Sequence, residues 1–161
     1  MKTEALFYEN KIRVRVCGLI IKNDKILLVK HRLKGSVFYG PPGGVVEFGE
    51  DLTTTLKREL HEETNIEVAS SNFQFITEYV KPPLHAIEIF YHVTRWNGII
   101  KAGNDPENKH LNVIEGVKWF TLNELKKIKT TQTHHLFHNC NNLRDILALS
   151  GYISYPTLYT K

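Results

Sequence analysis

Pro41-Pro42-Gly43-Gly44 limits what this chain can become more than any other stretch. The two prolines withhold backbone donors and fix φ, and the two glycines remove the side-chain barrier to tight turning. Neither a helix interior nor a central strand runs comfortably through such a cluster. In front of it, Ile12–Ile21 (IRVRVCGLII) is β-rich, Lys22-Asn23-Asp24 is a turn signal, and Lys25–His31 (KILLVKH) reads as a second strand, so a hairpin is expected. Arg32–Tyr39 reads as a loop. Behind the glycines a short strand, Val45-Val46-Glu47, should lead to a helix capped by Asp51 or Thr53 and running to about Thr64. Asn65 stands where a left-handed residue ends such a helix.

Downstream, Phe73–Val80 and Ala86–Trp96 look like strands, the second with half-buried alternation. Gly103–His110 is polar and loop-like, Val117–Phe120 a short strand, and Thr121 with Glu124 has the spacing of a capping box. A last helix is expected from about Thr133 to Leu149. Strands and helices mix without strict alternation, which favours an α+β or mixed α/β sandwich over a doubly wound parallel sheet. The length, 161 residues, suits one domain over 1–161 and leaves a second one cramped.

The formal charge of +4 suits an anionic ligand, while the absence of a long Lys/Arg run speaks against a nucleic-acid tail. Cys17 and Cys140 form neither a disulfide framework nor a metal motif. No apolar run approaches membrane-spanning length and no export signal opens the chain, so a cytoplasmic protein without a membrane partner is expected.

The chemistry gathers after the glycines. Glu59, Glu62 and Glu63, spaced i, i+3, i+4, share one helix sector, and Leu56 and Leu60 fall on the neighbouring sector. Carboxylates so crowded repel one another, and a hard divalent cation relieves that repulsion. Acidic helix faces usually do no more than stay solvated; here the glycine turn in front and the added Glu47 and Glu50 favour a site. Arg58 can pair with Glu50 and hold the loop to the helix.

GVVEFGEDLTTTLKRELHEETNI, Gly44 to Ile66, resembles the Nudix box. Gly44, Glu50, Arg58, Glu59, Leu60, Glu62, Glu63 and Ile66 stand in register, with Asn65 in place of the family's last glycine. The preceding Pro-Gly-Gly, the entry strands ending in Lys30-His31-Arg32, and Trp119-Phe120 followed by Glu124-Leu125 extend the likeness over most of the chain.

The resemblance implies an α/β/α sandwich with a mixed central β-sheet. It implies a Mg²⁺-dependent hydrolase (Mn²⁺ often substitutes) in which water attacks a phosphorus of a nucleoside diphosphate derivative: ADP-ribose, a nucleotide sugar or a nucleoside triphosphate. Glu59, Glu62 and Glu63 would hold the metal, joined by the Gly43 carbonyl and by Glu115. Glu50 and Arg58 would complete the catalytic group with Glu59 and Glu62. The general base stays open between Glu62, Glu107 and Glu115. Arg32, Phe38, Tyr39 and Glu47 are the substrate-binding candidates, with Lys34, Lys81 and Tyr79 behind them. Pro82 and Pro83 lean slightly towards ADP-ribose. His134, His135 and His138 read as surface or packing residues rather than ligands. The partner is a nucleotide-type small molecule, with a homodimer left open. Two competing readings remain, a Nudix-fold module that senses a nucleotide without cleaving it and an enzyme acting on RNA 5′ ends. Retention of the box carboxylates weighs against the first, and the lack of an aromatic-basic motif against the second.

Overall fold

A computed structural model describes residues 11–33, 35–82, 84–103 and 112–154. Lys34, Pro83 and Glu107 lie outside the described residues, as does nearly all of the expected 103–110 loop. In chain order the elements are β1 (Ile12–Leu19), β2 (Ile21–Lys22), β3 (Lys25–Leu33), β4 (Ser36–Gly40), β5 (Gly43–Val45), α1 (Leu52–Thr64), β6 (Glu67–Lys81), β7 (Leu84–Asn97), β8 (Asn112–Phe120), α2 (Leu122–Lys126), two 3₁₀ turns (Thr130–Gln132 and His135–Phe137), α3 (Leu143–Leu147) and β9 (Gly151–Ser154).

Five strands form one sheet in the order β5-β1-β7-β6-β9, with β1–β7 and β6–β9 parallel and the other pairs antiparallel. A second sheet places β3 between β4 and β8, with β2 continuing the hairpin. One core joins Leu56 and Leu60 of α1 to Val16, Ile20, Leu27, Ile66 and Val93. The other joins Cys17, Leu19, Ile26, Leu28, Phe75 and Phe90 to Phe120, Leu136, Phe137 and Ile146. Alternate residues of β1 supply the two cores, as strand geometry requires. The result is the expected α+β sandwich with a mixed central sheet.

Four expectations change. Arg32–Tyr39 is not a loop: β3 runs to Leu33 and pairs with β4 through Leu33↔Ser36, because Gly35, at φ +82°, reverses the chain tightly. Pairing after the prolines begins on the glycines rather than at Val45, with Cys17↔Gly43 and Val16↔Gly44 in register. Any Cβ at Gly43 would overlap the Val16 carbonyl, so only glycine lets β5 approach β1 this closely. The long last helix is absent. Asn139-Cys140-Asn141-Asn142 interrupts it, and Asn142 with Asp145 forms a capping box that starts the short α3. Finally, β7 is not half-buried where it crosses the sheet. Glu88, Ile89 and Phe90 are all buried, because a central strand is covered on both faces.

Candidate active site

The site is built on α1. Asp51 caps it by accepting from the Thr54 N–H at 2.7 Å. Asn65 ends it in the left-handed region at φ 59°, ψ 25°, with its N–H donating to the His61 carbonyl. The Asn65 side chain donates to Ile99 O at 3.0 Å, and the backbone N–H groups of Lys101 and Gly103 donate to the last carbonyls of the helix, Thr64 and Glu63. The last two carbonyls of the helix are therefore satisfied by the segment that leaves β7.

Arg58 is the hub of the acidic face. Its Nε and Nη2 donate to the two oxygens of Glu50 at 2.8 and 2.9 Å, and its Nη1 to Glu59 at 2.9 Å and Glu62 at 3.4 Å. Nη2 also reaches the Val45 carbonyl at 3.2 Å. That fork ties the glycine loop to the helix, and it pulls the Glu50 carboxyl down to about 2. Glu47 stands at the rim, 3.9 Å from Arg58 and largely exposed.

Glu63 is buried and accepts from the Gly43 N–H at 2.8 Å. Glu59 is buried against Gly44, where any Cβ would overlap its carboxyl group. Glu63 thus touches the Gly43 peptide and Glu59 faces Gly44, while Glu62 reaches the group through the Arg58 fork it shares with Glu59. Two buried carboxylates, Glu59 and Glu63, with the half-buried Glu50 and Glu62 beside them, demand more positive charge than Arg58 alone supplies. Oxygen donors of this kind suit a hard divalent cation.

The outlying candidates divide. Glu115 forms ion pairs with Lys30 at 2.8 Å and with Arg32, whose Nη2 lies 3.1 Å from it. The β3–β8 register shifts between Lys30 and His31, and Glu115 is the extra residue that turns outward there. These two cations hold the Glu115 carboxyl down at about 2. Arg32 is therefore occupied by Glu115. Tyr39 packs edge-on against Phe120 at 5.1 Å and belongs to the core rim. Phe38 is half-buried, with its ring 6.5 Å from that of His134. Lys81 is exposed at the end of β6, and Tyr79 stacks on His135 at 5.8 Å.

A second polar group was not foreseen. Arg15 of β1 is in register with Glu88 of β7; its Nη1 lies 3.4 Å from the Glu88 carboxylate, and its Nη2 donates to the Gly43 carbonyl at 3.1 Å. The other Glu88 oxygen faces His134 Nε2 at 3.0 Å. Burial alone would raise the Glu88 carboxyl; the facing His134 and Arg15 outweigh it and hold it low, at about 2. Burial and the neighbouring His134 push His135 down to about 3. In sequence the clue was a charge inside an apolar run, Arg15 between Val14 and Val16 and Glu88 between Ile87 and Ile89.

Glu88, His134 and His135 bring ligand atoms within 4.8 Å of one another, a grouping that can hold a metal. The hydrogen bonding argues against it. His134 Nδ1 accepts from the Leu136 N–H at 3.2 Å, so the ring proton sits on Nε2 and points at Glu88. A cation there would have to displace that proton or break the cap, beside the Arg15 guanidinium. The three histidines do not share a helix: His134 is extended, at φ −59°, ψ 137°, and its N–H donates to Tyr39 O. His134 is buried, and His138 contacts Thr133 at 3.1 Å.

A glycine turn fastened to a glutamate-bearing helix beside a mixed sheet defines a class, the hydrolases of nucleotide diphosphate derivatives. Residues 11–139 match the model of the NUDIX domain, and the chain belongs to the Nudix family of pyrophosphohydrolases. It is 32% identical over 133 residues to an 8-oxo-dGTP diphosphatase of Buchnera aphidicola subsp. Schizaphis graminum, covering 80% of this chain and 92% of that protein. It is 33% identical over 120 residues to an ADP-ribose pyrophosphatase of Methanocaldococcus jannaschii, covering 71% of this chain and 65% of that one. The fold is that of a MutT NUDIX hydrolase from Burkholderia pseudomallei, with a TM-score of 0.66, 21% identity and coverage of 86% and 98%. Among the described residues no helix is long and apolar enough to cross a membrane.

Proposed function

We propose that this chain is a divalent-metal-dependent hydrolase of the diphosphate linkage in a nucleoside diphosphate derivative. The observation that carries the reading is that buried Glu59 and Glu63 face the Gly43-Gly44 turn, with Glu62 beside them on α1 and joined to Glu59 through Arg58. In this reading Glu59, Glu62, Glu63 and the Gly43 carbonyl hold Mg²⁺. When bound, the cation would screen the phosphate charge and make a water more acidic. Glu62 is the most exposed of the three glutamates, at 26%, and is the one an incoming water can reach, so it takes the part of general base. Glu50 and Arg58 keep the loop in place. With Glu115 committed to Lys30 and Arg32, the metal shell in this reading is drawn from the box glutamates and the Gly43 carbonyl just before them. Arg32, Phe38 and Glu47 border the substrate, and Tyr39 supports them from the core.

The names of the relatives support the substrate class without narrowing it: 8-oxo-dGTP and ADP-ribose both carry a nucleoside diphosphate unit. A single catalytic domain fills the chain in this reading. The test is turnover with Mg²⁺ across ADP-ribose, NADH, 8-oxo-dGTP, dinucleoside polyphosphates and nucleotide sugars, for the natural chain and for Glu62→Gln and Glu63→Gln. Activity on at least one substrate, lost in both variants with the fold intact, is expected. Full activity in both variants overturns the metal assignment, and no turnover on any substrate favours a nucleotide-sensing module.

A further inference from the structure

We propose that Arg15 binds the substrate's diphosphate, held in position for it by Glu88 and His134; this rests on the hydrolase reading above. A guanidinium in the middle of a sheet is expensive to desolvate, and an apolar residue would serve packing alone at least as well. Arg15 is half-buried, with its side chain 28% exposed, so one edge stays within reach of a ligand. Its planar fork carries five N–H donors. Nη1 faces Glu88 and Nη2 the Gly43 carbonyl, while the buried Nε has no hydrogen-bond partner.

The position is specific. The Gly43 peptide that receives Arg15 on its carbonyl gives its N–H to Glu63. One peptide unit therefore separates the fork from a carboxylate of the proposed metal shell. A phosphate bound at that shell brings further anionic oxygens to this side, and a guanidinium meets them with paired N–H donors. Glu88 itself is 4% exposed and cannot be the substrate contact. It is a positioning residue: it anchors Nη1 and is fixed in turn by the Nε2–H of His134. His134 is locked from two sides, by the Leu136 N–H on its Nδ1 and by its own N–H on Tyr39 O. Arg15 thus meets a ligand with its side-chain freedom already spent, which keeps the entropic cost of binding low.

The rival account is that Arg15 only braces the Gly43 turn. Calorimetric binding of α,β-methylene-ADP with Mg²⁺, and of Mn²⁺ alone, separates the two, using the full chain and its Arg15→Ala, Arg15→Lys and Glu88→Gln variants. Loss of a charge-assisted contact should weaken the nucleotide analogue roughly tenfold or more in Arg15→Ala. Mn²⁺ affinity should change far less, because Arg15 touches only the Gly43 carbonyl of the proposed shell, and added guanidinium ion should restore part of the loss of analogue binding. Arg15→Lys keeps the charge without the fork and should fall between. Glu88→Gln should weaken the analogue less than Arg15→Ala and again spare Mn²⁺. Undiminished analogue binding in Arg15→Ala, or an equal loss of Mn²⁺ affinity, overturns the proposal; should Arg15→Ala not fold, Arg15→Lys decides by the same criteria. A natural chain that binds the analogue through Arg15 yet turns nothing over sinks the hydrolase reading and leaves this one standing. Turnover indifferent to Arg15 does the reverse.

Discussion

Removing Arg58 tests how the acidic face is held together in the absence of metal. In Arg58→Gln, Glu50 loses two contacts of 2.8 and 2.9 Å, Glu59 one of 2.9 Å, and Val45 O one of 3.2 Å. The side chains of Arg58 and Glu50 are only 20% and 17% exposed, so water replaces these bonds poorly. Breaking a fully buried pair costs about 3–5 kcal/mol, and partial solvation here brings the expectation to about 2–3 kcal/mol. For a chain of this size that lowers Tm by roughly 5–10 °C. The loss should be largest with a chelator present. Mg²⁺ should recover part of it, because a cation at the Glu59–Glu62–Glu63 cluster replaces the missing charge. Thermal unfolding of both proteins in EDTA and in Mg²⁺ reads all four values. A cost below about 1 kcal/mol, or the same Mg²⁺ stabilisation in both proteins, would refute the idea that Arg58 and the metal neutralise the same carboxylates.

Three other outcomes are expected. Gly44→Ala places a methyl group on the Glu59 carboxyl and should abolish Mn²⁺ binding and turnover, checked by titration, while circular dichroism stays native. Glu88 is depressed in the folded state from 4.5 to about 2, so its contribution to stability is present above pH 4.5 and lost as pH falls towards 2. Urea midpoints followed across that interval should decline less steeply in Glu88→Gln than in the natural chain. Asn65→Gly relieves a left-handed asparagine but gives up the bond to Ile99 O; the two effects, each about 1 kcal/mol, should nearly cancel in Tm. A shift well beyond that would show that one of them dominates.

The parts that were legible in the sequence are local. A capped helix, its leucine stripe and three carboxylates on one sector follow from spacing alone, and α1 with Asp51 and Asn65 appears as expected. The Thr121–Glu124 capping box was readable for the same reason. What sequence spacing could not give was pairing across distance. Residues 36–40 are a strand because β3 lies beside them, and β9 is one because β6 offers it an edge. The expected 133–149 helix failed because its helical periodicity ignored the pull of Tyr39 on Thr133 and His134 and the local bonding of the asparagines. Arg15 and Glu88 lie 73 residues apart in sequence and meet only through the parallel β1–β7 register, so their pairing had no signature in either strand alone. Likewise nothing in the local sequence links Arg32 to Glu115, and the ladder of β3 and β8 brings them to each other.

The left-handed turn at Asn65 bears on how such proteins are recognised. What the end of the helix requires is a backbone shape, and the family's glycine is one way of writing it. Here the shape is kept by a residue that also fastens the helix to the segment leaving β7, something a glycine cannot do. A pattern that insists on the letter at this position would pass over the chain, whereas one that asks for the conformation would find it. Because the acceptor is a backbone carbonyl, which any residue at position 99 supplies, the fastening depends on the path of that segment and not on its side chains.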